Sequence, residues 1–464
     1  MQGKWRATWA GSFFFIAGTI ENGSWPILLP VIADNFDVSV ATIAWTLVAF
    51  ALGMAGAALT SGRISDVIGH KKIALVGVTM EAAFLALCAI APSFWIIVVL
   101  RFFQGMSRSV ALNGASGLVI SAWPQAERGR ILGLRNGMAA GGLLLGPVYA
   151  GAVGDVSSWR WALLGVVVLY VVHFGLVAAL GRRDAARDAK ASDMLRRLDW
   201  AGAVAFLVAI CSFLYSAQLV RNWSSLPFAI AGFGLAAAAL YAAIKFEGRS
   251  AMPVLNLGLF KSRQFSAAGA GLIGFSMTFG AVTFLFPFYM QRGIGWSLAF
   301  AGLVMTTLNF VQIWGSPLMG WLSDKLGART IQSVGLAAMV AALLLGSRLG
   351  GAPATWHVVA VLLIVGAAMS IYTQPNNRVI FNAVPPNAMG SANAISAVGR
   401  YIGQSLGTAA AAAMLAGQTS VPQAFSSAMV VLAVVTAVVI TATLLVPGRS
   451  AVAVPTPGPT AGRR

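Results

Sequence analysis

Long apolar runs separated by short polar segments extend along the chain from near its start to about residue 446. Each run has about 20 residues, the length that an α-helix needs to cross the roughly 30 Å hydrocarbon core of a bilayer. The pattern therefore predicts an all-α integral membrane protein with about fourteen transmembrane helices. The predicted helices span residues 10–30, 41–60, 73–91, 94–120, 131–153, 161–180, 200–219, 226–246, 267–290, 299–321, 331–349, 355–377, 391–416 and 424–446.

The composition fits this interpretation and excludes a soluble chain. Of the 464 residues, 58% are hydrophobic and 9% are charged, whereas soluble domains carry about 25% charged residues. The net charge of +18 could suggest a nucleic-acid partner, but the distribution of basic residues explains it otherwise. Of the 31 lysines and arginines, 24 lie in polar segments predicted to be on the same side of the membrane as the N-terminus. Four lie in segments on the opposite side, and three lie within the predicted helices. This bias predicts cytoplasmic termini and no nucleic-acid partner.

A short motif occurs twice and indicates an internal repeat. Residues 62–72 read GRISDVIGHKK and residues 320–329 read GWLSDKLGAR. Each copy joins two predicted helices on the predicted cytoplasmic side, which indicates two related six-helix halves. The predicted domains are an N-terminal six-helix bundle at 1–180, a cytoplasmic linker with two inserted helices at 181–250, a C-terminal six-helix bundle at 251–448 and a disordered cytoplasmic tail at 449–464.

The repeated loop has residues suited to a tight turn between two helices. Its glycines permit positive φ angles, and its aspartate can cap a helix or pair with an arginine. We expect these loops to act in a conformational switch. The residues concerned are Gly62, Asp66, Gly69, Lys71, Asp324 and Arg329.

The first loop resembles the signature of the major facilitator superfamily, and three further patterns are similar to its fourteen-helix drug:proton antiporter family. Residues 21–30 (ENGSWPILLP) resemble the family's motif in helix one, with Glu21 at the acidic position. Arg101 and Gln104 belong to a match to R-x-x-Q-G in helix four. Residues 142–151 (GLLLGPVYAG) resemble the antiporter motif G-x-x-x-G-P-x-x-G-G in helix five.

The resemblance implies the major facilitator fold, which has two six-helix bundles. In this chain two further helices are expected between the bundles. It also implies proton-coupled export by alternating access. For helix five it implies that Gly142, Gly146 and Pro147 seal the route through which protons or substrate would leak. The residues themselves indicate close helix packing at the two glycines and a bend at the proline.

Charged side chains inside the predicted helices mark candidate functional residues, because an ionised group is costly in a bilayer. Arg101 and Arg108 are seven residues apart, so they share one helical face with Gln104. We expect Glu21 to carry the transported proton and Arg101 to compete for its carboxylate; a fixed structural ion pair is the alternative. Glu81 is expected either to have a structural or lipid-facing role or to be a second proton site.

The substrate pocket is expected to be aromatic with few polar groups, which suits amphipathic ligands. Arg108 adds a cation beside this pocket and disfavours purely cationic substrates. The expected substrate-binding residues are Arg108, Gln104, Asn309, Gln312, Tyr372, Asn376 and Phe279.

Two functions within transport remain open from the sequence. One is export of small amphipathic or drug-like compounds in exchange for protons, and the other is dedicated transport of one metabolite, lipid or organic anion. The sequence has no nucleophile–base pair, metal-ligand cluster or phosphate-binding loop, so it predicts neither an enzyme nor a metal or cofactor. The expected partners are a small-molecule substrate, protons and the lipid bilayer of the inner (cytoplasmic) cell membrane, with the chain as a monomer.

Overall fold

The computed structural model describes residues 2–124, 127–181, 200–219, 225–247, 257–385, 388–416 and 420–445. All regular secondary structure in these ranges is helical. The long helices, each of 19 residues or more, are numbered in chain order. They are α1 (Gln2–Asn35), α2 (Trp45–Ile68), α3 (His70–Ile90), α4 (Phe94–Ser121), α5 (Arg128–Val156), α6 (Trp159–Leu180), α7 (Trp200–Leu219), α8 (Leu226–Glu247), α9 (Arg263–Phe288), α10 (Leu298–Leu326), α11 (Ala328–Gly346), α12 (Thr355–Asn382), α13 (Met389–Ala416) and α14 (Val421–Leu445). Shorter helical segments are Val40–Ile43, Leu257–Lys261 and Tyr289–Gly293.

Eleven segments in the described residues are long and apolar enough to cross a membrane. They lie in every long helix except α1, α7 and α13. Helix α7 holds only a shorter apolar stretch, Val204–Phe213. The protein is therefore a multi-pass helical membrane protein, and the count of fourteen spans stays a prediction.

Several helices extend beyond the predicted apolar runs. Helix α1 runs from Gln2 to Asn35, whereas the apolar run predicted residues 10–30. It continues through Pro26 and Pro30. A hydrophobic run marks only the part of a helix that suits hydrocarbon, and polar turns at its ends continue the same helix.

The first six and last six long helices repeat one set of neighbours. Helix α1 packs against α5 and α6, α2 against α4, and α3 against α4 and α6. Each of these pairs recurs eight helices later, as α9 with α13 and α14, α10 with α12, and α11 with α12 and α14. We call α1–α6 the first half and α9–α14 the second half. The halves meet mainly through α5 with α10 and α2 with α13.

Helices α7 and α8 pack against each other, and α7 also contacts α2 and α13. The predicted linker falls largely on residues 182–199, and the predicted tail falls on residues 449–464, all of which lie outside the described residues. The proposed domain boundaries and the disorder of the tail therefore stay predictions.

The two repeated loops form equivalent tight turns. Gly69 (φ 112°) lies between α2 and α3, and Gly327 (φ 85°) lies between α10 and α11. These values confirm the expectation of positive φ, whereas Gly62 lies within α2. Lys71 Nζ donates to the carbonyls of residues 178 (2.8 Å) and 181 (3.0 Å), so it binds the C-terminal end of α6.

The remaining loop residues take different positions. Asp66 is exposed at the end of α2, and Arg329 is exposed in the first turn of α11. The side chain of Asp324 lies outside the described part of the structure. The role of these loops in a conformational switch stays a prediction.

Hydrogen bonds join the two halves at the end of α1 farthest from the N-terminus. Arg292 Nη2 donates to Asp34 Oδ1 at 2.5 Å and to the carbonyl of Pro30 at 3.3 Å. Gln291 Nε2 donates to the carbonyl of Ile27 at 2.8 Å. The N-terminal part of α5 lies at the opposite end of the molecule. Cβ atoms added at its glycines 133, 137 and 141 would meet open space. Hydrogen bonds thus join the halves at one end, and these three glycines of α5 contact no other helix through a Cβ position.

Candidate functional site

The carboxylate of Glu21 lies buried in the middle of α1 and accepts four hydrogen bonds. Oε1 accepts from Arg101 Nη1 at 2.9 Å and from Gln104 Nε2 at 2.9 Å. Oε2 accepts from Arg108 Nη2 at 2.6 Å and from the hydroxyl of Tyr170 at 2.6 Å. Two of the donors are cations, so Glu21 is paired with both arginines rather than with Arg101 alone.

A second buried carboxylate, Glu81 of α3, lies on the far side of Arg108. Oε1 of Glu81 forms an ion pair with Arg108 Nε and lies 3.1 Å from the Tyr170 hydroxyl, which can donate its one hydrogen either here or to Glu21. Oε2 of Glu81 has no hydrogen-bond partner among the described residues. Glu81 is 0% exposed, so the lipid-facing position considered from the sequence does not apply.

Helical spacing explains how α4 presents its side chains to this site. Arg101, Gln104 and Arg108 are separated by three and four residues and therefore lie on one face. Arg101 Nη1 also donates to Gln104 Oε1 at 2.7 Å, which orients the amide toward Glu21. Gly18 of α1 leaves the space that Arg108 occupies, because a Cβ at this position would overlap Nη1 of the arginine.

Tyr170 of α6 is a member of the site that sequence reasoning did not identify. Its hydroxyl contacts Glu21 and Glu81 and accepts from Arg108 Nη2 at 2.8 Å. A buried tyrosine hydroxyl usually has a hydrogen-bond partner. The available signal was therefore a single hydroxyl in the apolar run of α6, which does not reveal its partners.

The four charged side chains of the site balance one another. Glu21 and Glu81 supply two negative charges when ionised, and Arg101 and Arg108 supply two positive charges. The Arg101 guanidinium also lies over the ring of Trp25, with 4.0 Å to its centroid, a favourable cation–π geometry. Loss of one charge would leave an uncompensated ion in a buried site.

The charged site borders a cavity of about 270 Å³ between the two halves. Side chains from α1, α2, α4, α5, α9, α10 and α13 line it. The charged residues on the described wall are Arg101 and Arg108, whereas Glu21 and Glu81 do not line it. The rest of the wall is aromatic, aliphatic or carries neutral polar groups, including Phe14, Phe50, Asn22, Thr283, Gln404 and Thr408.

Three of the expected substrate-binding residues line this cavity: Arg108, Phe279 and Asn309. Gln104 instead bonds to Glu21 and Arg101 behind the wall.

The other expected substrate-binding residues lie elsewhere in the second half. Tyr372 stacks on Phe275 at a centroid distance of 4.2 Å. Asn376 accepts from Gln332 at 3.0 Å, and Gln312 donates weakly within α10, to the carbonyl of residue 308 at 3.5 Å. None of these three lines the cavity.

The glycine motif of α5 packs directly on the backbone of α1. A Cβ at Gly142 would lie 2.5 Å from the carbonyl oxygen of Ile16, and one at Gly146 would lie 2.4 Å from that of Ile20. Ser24 Oγ of α1 donates to the carbonyl of Gly146 at 3.0 Å. The predicted close helix packing is confirmed at both positions.

A hydrogen bond between the two halves lies next to Pro147. Because proline has no N–H, the carbonyl of Leu143, one turn earlier in α5, lacks its helical donor. Asn309 Nδ2 of α10 donates to this carbonyl at 3.2 Å. A second side chain, Thr306, donates to the carbonyl of Leu144 at 3.3 Å. Asn309 therefore lines the cavity and also binds the turn of α5 that precedes Pro147.

This arrangement makes a specific stability prediction. Asn309→Leu should lower the free energy of unfolding by about 1 kcal/mol, because the partly buried carbonyl of Leu143 loses its donor. In a Pro147→Ala background the same substitution should cost much less, since the restored N–H satisfies that carbonyl. Denaturant unfolding of the four proteins in detergent measures the coupling, and Gln312→Leu on the same helix is the control. Equal costs in both backgrounds would show that the bond is unimportant.

A helical membrane protein whose two halves repeat one packing pattern around a charged central cavity has the architecture of a secondary transporter. The model of the Major Facilitator Superfamily matches residues 11–244 and 267–463. The chain therefore belongs to the major facilitator superfamily and is a membrane transporter.

Comparisons with individual proteins agree with this assignment. The chain is 25% identical to the riboflavin transporter RibZ of Clostridioides difficile (strain 630) over 88% of each protein. It is 26% identical to the multidrug resistance protein Stp of Mycobacterium tuberculosis (strain CDC 1551 / Oshkosh), over 89% of this chain and 76% of the relative. A crystal structure of the nucleoside transporter NupG has a TM-score of 0.65 at 14% identity, covering 94% of this chain and 99% of the other, which is a likeness of fold.

Proposed function

We propose that the protein is a proton-coupled exporter of small amphipathic compounds, which it exchanges for protons by alternating access. The observation that carries the proposal is Glu21, a buried carboxylate held by Arg101 and Arg108, both of which line the central cavity. The similarity to a multidrug resistance protein supports the export direction. The proposed location is the inner cell membrane with both termini cytoplasmic, and the proposed state is a monomer.

Protonation of Glu21 links the proton to the conformation of the transporter. A protonated Glu21 loses its charge attraction to Arg101 and Arg108. Arg101 then has no charged partner among the described residues of this site, and Arg108 keeps only its ion pair with Glu81. Because these arginines lie on the cavity wall, their rearrangement alters both the cavity and the packing of α4 on α1. A proton bound in one conformation and not in the other shifts the equilibrium between the two.

The packing of α5 supplies the structural connection to the second half. Gly142 and Gly146 allow α5 to contact the backbone of α1, the helix that carries Glu21. On its other side α5 contacts α10 through Pro147, whose carbonyl lies against Gly302. A shift of α1 would therefore move the surface on which the second half rests, which suits these residues to the proposed sealing and switching role.

The test is transport by the purified protein in liposomes with an imposed pH gradient. Outward movement of several unrelated amphipathic compounds, each accompanied by proton movement in the opposite direction, would support the proposal. Transport that continues unchanged when a protonophore removes the pH gradient would contradict it.

A second candidate, transport of a single organic anion, is favoured by one specific observation. The charged groups on the described cavity wall are both arginines, and the carboxylates lie behind them. A ligand carboxylate or phosphate could pair with these arginines bidentately. The similarity to a riboflavin transporter also fits a dedicated carrier for one metabolite.

The pH dependence of ligand binding separates the two candidates. A ligand that exchanges with the proton binds best to the ionised site, so its affinity should rise with pH. An anion that needs arginines released by a protonated carboxyl should bind more tightly as the pH falls. If binding of the ligand is linked to one proton, the affinity should change by up to about tenfold per pH unit in either case. Calorimetry across a pH series measures the sign, and Glu21→Gln should remove the dependence in both cases.

A further inference from the structure

The hydroxyl of Tyr170 lies between the two buried carboxylates of the site. It is 2.6 Å from Oε2 of Glu21 and 3.1 Å from Oε1 of Glu81. A tyrosine hydroxyl carries one hydrogen, so it can donate to only one of these oxygens at a time. Its oxygen also accepts from Arg108 Nη2 at 2.8 Å. Tyr170 therefore occupies the position of a bridge between the carboxylates.

The two carboxylates have unequal sets of donors. Glu21 accepts four hydrogen bonds, from Arg101, Gln104, Arg108 and Tyr170. Glu81 has one ion pair, to Arg108 Nε, and its Oε1 shares the single Tyr170 hydroxyl with Glu21. Its Oε2 has no partner among the described residues. Donors stabilise a carboxylate in its charged form, so Glu21 is the better-supported anion of the two.

Building on the proposed proton coupling, we propose that Tyr170 relays the transported proton from Glu21 to Glu81, and that Glu81 is the residue that holds it. Glu21 is then the residue that first accepts the proton, next to the arginines of the cavity wall. Glu81 is the residue that holds the proton, farther from the cavity. This assigns a role to Tyr170 and a separate role to each carboxylate.

The relay moves hydrogen without any other reactant. The proton on Oε2 of Glu21 forms a bond to the Tyr170 oxygen while the original Tyr170 O–H bond breaks and its hydrogen bonds to Oε1 of Glu81. Tyr170 ends as it began, with one hydrogen. Glu21 returns to the carboxylate, and Glu81 becomes the neutral acid. The total charge of the site is unchanged by the transfer.

The end state changes Arg108 in particular. Neutral Glu81 no longer forms an ion pair with Arg108 Nε, while Glu21 keeps its pair with Arg101. Arg108 then keeps Glu21 as its charged partner and shares it with Arg101. Because Arg108 lines the cavity, the stored proton leaves its guanidinium with one fewer ionic contact and more able to turn toward a ligand. Other titratable side chains near the site include Cys88 of α3, seven residues from Glu81, and His173, three residues from Tyr170 on α6. Tyr401 of α13 lines the same cavity as Arg108.

Infrared spectroscopy locates the proton, because the chain contains only four glutamates: Glu21, Glu81, Glu127 and Glu247. Full-length protein labelled with ¹³C-glutamate, reconstituted in liposomes, should show a band of a protonated glutamate carboxyl group when the pH is lowered. We expect Glu81→Gln to remove the band assigned to the transported proton. A wild-type band that keeps its frequency in Glu81→Gln would place the proton on another glutamate and overturn the relay.

Tyr170→Phe tests the bridge itself, since it removes the hydroxyl and keeps the ring. We expect the rate of proton-coupled exchange to fall by roughly 100-fold, with ligand affinity at fixed pH little changed. Tyr149→Phe is the matched control, because the Tyr149 hydroxyl donates to the carbonyl of residue 162, outside this site. A Tyr170→Phe protein that exchanges protons at the wild-type rate would refute the relay.

The failure of the relay and the failure of the proposed function give different results. If Glu21→Gln abolishes proton coupling while Glu81→Gln and Tyr170→Phe retain it, only the relay is wrong. If neither Glu21→Gln nor Glu81→Gln alters coupling, the proton-coupled function itself is wrong.

Discussion

Replacing Glu21 by glutamine is expected to reduce gradient-driven transport to the level of protein-free liposomes. Glutamine keeps the size of the side chain and can still accept a hydrogen bond, but it cannot bind and release a proton. Arg101 and Arg108 would each lose the charged partner that they share, so the conformational equilibrium would no longer respond to protons. Exchange driven by a substrate gradient alone, without protons, should be affected less.

Two variants control the Glu21→Gln experiment. Glu21→Asp keeps an acid one methylene shorter, so proton coupling should survive at a reduced rate. Glu127→Gln removes an exposed carboxylate just before α5, outside the charged site, and should leave transport unchanged. Substrate accumulation against its gradient, measured with simultaneous proton flux, distinguishes these results. Full accumulation by the Glu21→Gln protein would show that this carboxylate does not couple transport to protons.

Arg108→Leu is expected to cause the largest loss of stability of any substitution at this site. Arg108 contacts both carboxylates and the Tyr170 hydroxyl, and its removal leaves buried negative charge without a cation. Breaking a buried ion pair by deleting one partner typically costs about 3–5 kcal/mol. The free energy of unfolding in detergent, determined with denaturant, measures the effect.

A second substitution tests the cause of that loss. In Arg108→Leu, Glu21 keeps its pair with Arg101, whereas Glu81 loses its cation. Adding Glu81→Gln removes that charge, so the double variant should be more stable than Arg108→Leu alone. Arg135→Leu is the matched control, because among the described residues Arg135 donates to the neutral side chains of Asn136 and Ser116. If Glu81→Gln gave no recovery, the charge-balance explanation would be wrong and lost side-chain packing would account for the result.

The repeated features of the chain could be read from local sequence. The apolar runs identified the long helices, although the ends of α1 extended beyond them. The two loop motifs identified equivalent turns, because Gly69 and Gly327 adopt the positive φ angles that only glycine accommodates easily. Helical periodicity also placed Arg101 and Arg108 on one face of α4. Each of these inferences depends on residues close together in the chain.

The partners of the charged residues could not be predicted in the same way. Glu21, Glu81 and Tyr170 lie on three different helices, and their hydrogen bonds span 89 and 149 residues of sequence. The sequence paired Glu21 with Arg101 and left Glu81 with several possible roles. Likewise, Tyr372, Asn376 and Gln312 were reasonable polar candidates, but side-chain direction within the second half turns them away from the cavity.

The sequence by itself determined that this is a helical membrane protein with two related halves and costly charges in its first half. That information is local, because hydrophobic length, helical period and turn chemistry depend on neighbouring residues. Only the tertiary structure decided that Arg108 bridges two carboxylates, that Tyr170 joins them, and that Asn309 binds the carbonyl freed by Pro147. Those contacts depend on how separate helices pack and rotate against one another, which no local pattern specifies.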